Sequence, residues 1–360
     1  MRTYVLASLL LACNHGSSSA VDSGTSSDAP AIDTAGSNTP DSGVSNALPL
    51  GTVTAQATAC STQGGQPEPG ATCESLVIDC GGLDTDTVEI AISTPATTPV
   101  GTMTLHDGGS GTTYWGTGPG NLVEGFLANN LRVVQLKWKA DWQIHGVGAL
   151  HSGCLPATAY KWIHDNVHTS GGFCGGGISG GGASLGYSLA AYGLGSIFDY
   201  TMIVSGPAVS KMDVGCDVPD YTGPAPAFCP EIPQPVDPLP AGAIDGIEST
   251  TTCSCTTPDC VLPADKTAWH ADSIVTDGAT YAYPKTAMSF WFCGNNNANG
   301  SSGGGAFYYD AVHAVAGNDV SIHCYAGDTS TCSGEQVFVD KGAQADAIAA
   351  VSAGCIDRHQ

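Results

Sequence analysis

The chain has 360 residues, room for one large domain or two modest ones with a sizeable buried core. Ten Lys and Arg against 33 Asp and Glu give a formal net charge of −23, which disfavours nucleic acid and anionic lipid surfaces because both need clustered cations. Charged residues at 12% and hydrophobic ones at 42% exclude a disordered polyelectrolyte, and 15 cysteines point to an oxidising compartment.

Met1-Arg2 is a minimal positive start, and Tyr4 to Ala12 is an apolar run too short to span a bilayer and suited to a signal-peptide core. The run ends in Leu10-Leu11-Ala12-Cys13, which resembles a bacterial lipobox. That resemblance implies lipidation of Cys13 as the mature N-terminus; an ordinary secretory signal is the alternative. Asn14 to about Leu50 is Ser, Gly, Asp, Thr, Ala and Pro, and reads as a flexible acidic leash. Membrane attachment is therefore expected only through an N-terminal lipid, at the bacterial cell envelope or outside the cell.

From about Gly51 apolar and polar runs alternate. Strands are predicted at 87–93, 101–105, 131–138, 198–204, 287–292 and 320–325, from period-2 patterning or short apolar runs. Helices are predicted at 121–130, 158–168, 183–192, 306–316 and 343–352. Between Gly215 and about Thr267 the alternation gives way to Pro, Cys and Thr, as in a disulfide-stapled insertion or cap. Strand–helix alternation predicts an α/β fold: a mostly parallel sheet with helices on both faces and ligands beyond the carboxyl ends of its strands.

Setting Cys13 aside leaves an even number of cysteines. Nearby partners suggest themselves among Cys60, Cys73 and Cys80, among Cys253, Cys255 and Cys260, and for Cys324 with Cys332, although connectivity does not follow from sequence. The Cys253–Cys260 cluster lacks a spaced fourth ligand or a local His, so disulfides are expected there and no metal. No H-E-x-x-H or calcium loop occurs, and GGGISGGG is not followed by the G-K-[ST] of a phosphate loop. No cofactor is expected.

The pattern G-x-S-x-G places a Ser on a sharp strand-to-helix turn. It occurs around Ser179, Ser184 and Ser302. Ser184 lies inside a predicted helix, and Ser302 in an Asn/Gly loop with no strand feeding it. Ser179 directly precedes a predicted helix, although the strand before it is reduced to Gly172-Phe173-Cys174. A second glycine loop, Leu105-His106-Asp107-Gly108-Gly109-Ser110-Gly111, follows an early strand. Backbone N–H groups of Gly108, Gly109 and Gly180 are candidates for holding the negative charge of an acyl-transfer intermediate.

These motifs resemble the α/β-hydrolase superfamily, in particular secreted bacterial esterases and lipases, over about Thr87 to the C-terminus with the insertion unmatched. The resemblance implies an eight-stranded sheet, Ser–His–acid chemistry and a small-molecule or polymeric ester substrate. It also implies the chain order nucleophile, acid, His. The usual acid slot, Cys293 to Asn299, has no carboxylate, leaving Asn297 or a residue after the preceding strand. Asp213 is the best carboxylate there, ahead of Asp217 and Asp310. The loop 326–334 has no His, so His323 within the last strand is taken as the base. Tyr114, Trp115, Trp138 and Trp142 are candidates to line an aromatic cleft. A degenerate hydrolase with a binding role is the rival reading.

Overall fold

The computed structural model describes residues 47–116, 121–216, 263–293, 301–325, 337–339 and 341–356, together with Ile247. Cys13, the leash up to residue 46, most of the expected insertion, the Cys253–Cys260 cluster, Asp217, Asn297 and Cys332 lie outside them. Ser45–Gln360 forms one compact unit.

Among the described residues nine strands make one sheet in the order β1-β2-β3-β5-β4-β6-β7-β8-β9. They are β1 (Thr52–Thr58), β2 (Thr72–Asp79), β3 (Asp86–Ser93), β4 (Gly101–His106), β5 (Leu131–Trp138), β6 (Gly172–Ile178), β7 (Tyr200–Val204), β8 (Ala287–Cys293) and β9 (Asp319–Tyr325). The pairs from β1 to β3 and from β3 to β5 are antiparallel. All pairs from β5 through β4 to β9 are parallel. This is the α/β-hydrolase-like sheet expected from the motifs, with one more strand than the eight implied. β1 and β2 escaped the sequence reading because the apolar positions of β1 are only Val53, Ala55 and Ala57, and β2 carries Leu76, Val77 and Ile78 in succession.

The helices are α1 (Leu122–Ala128), α2 (Ala149–Ser152), α3 (Cys154–Asn166), α4 (Gly180–Ala190), α5 (Met212–Cys216), α6 (Pro263–Asp272), α7 (Ser301–His313) and α8 (Lys341–Cys355). Strand side chains alternate between the two faces. Val134, Ile203 and Phe290 join the core under α3, α4, α6 and α7, whereas Val133, Met202 and Trp291 join the core under α1 and α8. Both faces of the parallel region are thus covered, which explains the near-continuous burial of β4 to β8. Ser302 falls in the first turn of α7, not in a loop.

Strand β6 runs through the glycines that looked like a turn, because its neighbours fill the space side chains would take. A Cβ at Gly176 would lie 2.7 Å from the Met103 methyl and 3.0 Å from that of Met202. The chain joins this body earlier than expected: Leu48 N–H donates to the Ala191 carbonyl (2.8 Å).

Disulfides link Cys60 to Cys73, Cys80 to Cys154 and Cys174 to Cys355. Only the first joins near neighbours; the third spans a sequence separation of 181. Cys293 and Cys324 are also disulfide-bonded.

Candidate active site

Ser179 caps the junction between β6 and α4, at the carboxyl edge of the parallel strands. Its backbone lies at φ 51°, ψ −110°. A non-glycine residue held there stores roughly 1–3 kcal/mol of strain, so its surroundings must fix it. They do so from both sides. Ser179 N–H donates to the Val204 carbonyl (2.8 Å), and its own carbonyl accepts the Ala183 N–H (3.0 Å), the first turn of α4. Ser179 is 8% exposed.

Three glycines permit the turn. A Cβ at Gly177 would lie 2.2 Å from the Gly181 carbonyl oxygen, one at Gly181 2.1 Å from that of His106, and one at Gly180 2.2 Å from that of Gly109. These are backbone contacts that no side-chain rotation relieves. From the facing loop, a Cβ at Gly108 would stand 3.4 Å from Ser179 Cβ. Gly206, after β7, closes a third side: a Cβ there would lie 3.1 Å from Ser179 Cα. The structure therefore brings Ser179, Gly108, Gly109 and Gly180 together, and the interlocked glycine loops make a site that backbone, not side chains, encloses.

The loop after β4 is held by His106. Its Nδ1 is 2.9 Å from the Asp107 carbonyl, and Trp138 Nε1–H donates to its Nε2 (2.7 Å). A carbonyl only accepts and an indole only donates, which assigns a neutral imidazole with its proton on Nδ1. Complete burial pushes its pKa down to about 4, against the opposing pull of the Asp107 carbonyl. Both ring nitrogens are engaged, so His106 positions the loop. Further ties are Gly111 N–H to the Gly108 carbonyl (3.1 Å), Gln143 Nε2–H to the Gly109 carbonyl (2.9 Å) and the Thr113 hydroxyl to the Asp107 carboxylate.

Asp213 and His323 are not brought together. Asp213, on α5, has Oδ2 3.1 Å from His270 Nδ1 on α6. Its neighbour Met212 and the α6 residue Trp269 belong to the core on the α4 face. His323 lies flat on Trp291, ring centroids 3.8 Å apart and planes within 7°, on the α8 face. Its register partner Trp291 pairs with Val204, which pairs with Ile178, so three strand spacings, roughly 14 Å, separate it from β6. The parity of β9 decides this: His323 shares a face with Tyr325, while Ile322 and Cys324 face the other core. Burial lowers the His323 pKa, opposed by the Asp346 carboxylate. The His270–Asp213 pair was missed because the two are 57 residues apart, across the aperiodic stretch.

A cavity of about 240 Å³ is lined in part by Ile178 and Asp107, the residues preceding Ser179 and Gly108. Trp115 and Phe338 form its aromatic side. Trp138 and Trp142, expected as possible cleft residues, are instead core, at 1% and 0% exposure, and Tyr114 is buried. Among the described residues no group of three or more His, Cys, Asp or Glu side chains is arranged to hold a metal, and no helix is long and apolar enough to cross a membrane.

No protein-family model matches the chain, and no curated protein matches it. Among solved structures it is similar to a brefeldin A esterase, described as a bacterial homologue of human hormone-sensitive lipase, at 15% identity and TM-score 0.48, covering 88% of this chain and 81% of that one. A bacterial heroin esterase is 15% identical, with TM-score 0.46 and coverage of 85% and 84%. Est1E from Butyrivibrio proteoclasticus is 10% identical, with TM-score 0.45 and coverage of 76% and 95%. All three scores lie below 0.5, so the likeness bears no weight beside the strand order and the turn at Ser179.

Proposed function

We propose that the protein is a serine hydrolase of carboxylic esters that works through an acyl-enzyme on Ser179. The observation that carries this reading is the strained turn at Ser179, pressed between the glycine loops at Gly108 and Gly180. A strand-to-helix turn of this kind exposes a hydroxyl next to backbone N–H groups. In the proposed reaction Ser179 Oγ attacks the ester carbonyl carbon as its proton passes to an imidazole. N–H groups from Gly180 and from Gly108 or Gly109 hold the oxyanion. The intermediate collapses, the alcohol leaves with that proton, and water then releases the acid from Ser179. None of these steps calls on a metal or organic cofactor.

Asp213 keeps its proposed orienting role, but its imidazole partner becomes His270 in place of His323. A carboxylate on Nδ1 fixes the tautomer that leaves Nε2 able to take a proton. His323 lies across the sheet from Asp213, which is why the role moves. With a short p-nitrophenyl ester, Ser179→Ala and His270→Ala each abolish turnover, and His323→Phe retains it. Full activity in Ser179→Ala discards the whole assignment; loss in His323→Phe with activity in His270→Ala returns the base to His323.

The separation of Asp213 from His323 also favours a second reading, a surface protein that keeps the fold for binding. Wild-type protein that neither turns over esters nor reacts with a fluorophosphonate probe selects it.

The disulfides support an extracytoplasmic location. Attachment through a lipidated Cys13 belongs to the same proposal. Mass spectrometry of the mature N-terminus tests it: a diacylglyceryl group on Cys13 is expected, and a cleaved unmodified terminus overturns it.

A further inference from the structure

A larger cavity, of about 470 Å³, has Thr112 and Thr113 in its wall, just past the loop at Gly108 and Gly109. The rest of the wall comes from β1, β2, β3, the end of β5 with Lys139, and residues 61–64. The volume is that of small-molecule sites, ~300–1,000 Å³, yet the lining is not the apolar one such sites usually have. Six of its twelve wall residues are Ser or Thr, and the only ring, that of Trp138, is 1% exposed. The Cys60–Cys73 disulfide ties residues 61–64 to β2, and the Gly64 carbonyl accepts the Tyr114 N–H (3.2 Å), so the wall is fixed before any ligand arrives.

The floor is a cross-strand row: Ser75 of β2 pairs with Glu89 of β3, which pairs with Lys137 of β5. Such neighbours stand ~4.5–5.5 Å apart, so a ligand the size of a sugar ring reaches from one to the next. Glu89 Oε1 receives the Tyr114 hydroxyl, the Ser61 N–H (3.0 Å) and the Lys137 ammonium (3.1 Å). Oε2 takes none of them. Burial would raise the carboxyl pKa, but those donors hold it below its usual value and keep it charged. Lys137 in turn is spent on Glu89, on the Gln63 carbonyl (3.1 Å) and on the Tyr114 ring. The Ser75 and Thr87 hydroxyls hydrogen-bond nothing among the described residues. An anion is opposed by Oε2, a cation by Lys139, and an acyl chain finds no apolar wall. A neutral polyhydroxylated ring fits on every count: its hydroxyls donate to Oε2 and exchange hydrogen bonds with Ser75 and Thr87.

We propose that this cavity binds a neutral glycosyl unit, so that the ester cleaved at Ser179 is an acyl group carried on a carbohydrate. β5 pairs with β4 and β4 with β6, which sets the cavity two strand spacings, roughly 10 Å, from the strand leading to Ser179. The proposal rests on the hydrolase reading for its place in the reaction, whereas sugar binding is measured without turnover. Calorimetric titration of Ser179→Ala protein uses xylotetraose, cellotetraose and mannotetraose as neutral probes and tetragalacturonate as the acidic one. At least one neutral tetrasaccharide is expected to bind with a Kd below about 1 mM. Adding Glu89→Gln should weaken it by about tenfold or more, and adding Thr87→Val, which removes one hydroxyl at constant shape, by about three- to tenfold. Thermal melts establish that each variant is folded, and Thr87→Val, outside the Glu89 hydrogen bonds, decides if Glu89→Gln is not. No binding of any neutral probe, or affinity unchanged in the folded variants, overturns the site. Tighter binding of tetragalacturonate that is lost in Lys139→Gln overturns it in favour of an anion. Sugar binding in a wild-type protein without esterase activity removes the hydrolase reading alone; ester turnover without sugar binding removes the sugar site alone.

Discussion

The indole N–H of Trp138 donates to Nε2 of His106 at 2.7 Å, and both side chains are buried. The bond exists only while Nε2 carries a lone pair. Burial places the folded-state pKa of His106 at about 4, below the ordinary 6.5. The folded protein thus binds fewer protons than the unfolded chain between those values. This contribution to stability is full above about pH 6.5 and is lost as pH falls towards about 4. At 1.36 kcal/mol per unit of pKa difference the loss is of order 3 kcal/mol. An NMR titration tests it directly: the His106 Cε1–H signal, assigned with His106→Asn, should move only near pH 4, and a midpoint near 6.5 refutes the argument.

The glycine contacts at the elbow predict a graded series. Ala at Gly177, Gly180 or Gly181 forces a Cβ to within 2.1–2.2 Å of a carbonyl oxygen. Each substitution should cost at least the ~1–3 kcal/mol typical of overpacking, and displace Ser179 with it. Gly116→Ala meets nothing within 4 Å at a position where φ is not positive, and should change stability by no more than ~0.5 kcal/mol. Urea unfolding of the four variants decides; equal stabilities would mean that the loops yield freely.

Beyond the loop at Gly108 and Gly109, Glu89 gathers the Tyr114 hydroxyl, the Ser61 N–H and the Lys137 ammonium, the last at 3.1 Å. Burial alone would raise the Glu89 pKa, but these donors together hold it below the usual value. The stabilisation is therefore present above the ordinary Glu range and fades as pH falls through the lowered pKa. Tyr114→Phe removes one donor. It should lose ~1–2 kcal/mol at pH 7, and the deficit should shrink as pH falls through the lowered Glu89 pKa. A deficit independent of pH would show that packing, not the carboxylate, is what Tyr114 supplies.

Cys174 in β6 and Cys355 at the end of α8 tie the strand that carries Ser179 to the C-terminus across a separation of 181 residues. Chain-entropy arguments put the effect of closing so long a loop at up to ~5 kcal/mol, with 2–5 typical for loss of a native disulfide. Replacing both by Ala should lower the unfolding midpoint accordingly. A change under ~1 kcal/mol would mean that the unfolded chain is already compact there.

Legibility followed the range of the signal. The run Leu131–Trp138 could be read because five of its eight residues are apolar, a signal contained in the run itself. β6 was cut short in the reading because a glycine run looks like a turn, and only the side chains of Met103, Leu185 and Met202 reveal that its missing side chains are replaced by neighbours. Of the candidate site, Ser179 and the loop at Gly108 and Gly109 were legible because a strand–glycine–helix order is written along a few adjacent residues. The partner of Asp213 was not, since it depends on how α5 meets α6.

By itself the sequence determined the class of fold, the stock of cysteines available for disulfides, and the two glycine loops. All three follow from composition or from spacings of a few residues, where backbone sterics dominate. Tertiary structure decided which residues those loops face. It put His323 and Asp213 on opposite sides of the sheet, because strand parity and register, fixed by packing across distant segments, set where a side chain points. It also set Asp107, Trp115 and Phe338 around one small cavity, a meeting that no local pattern records.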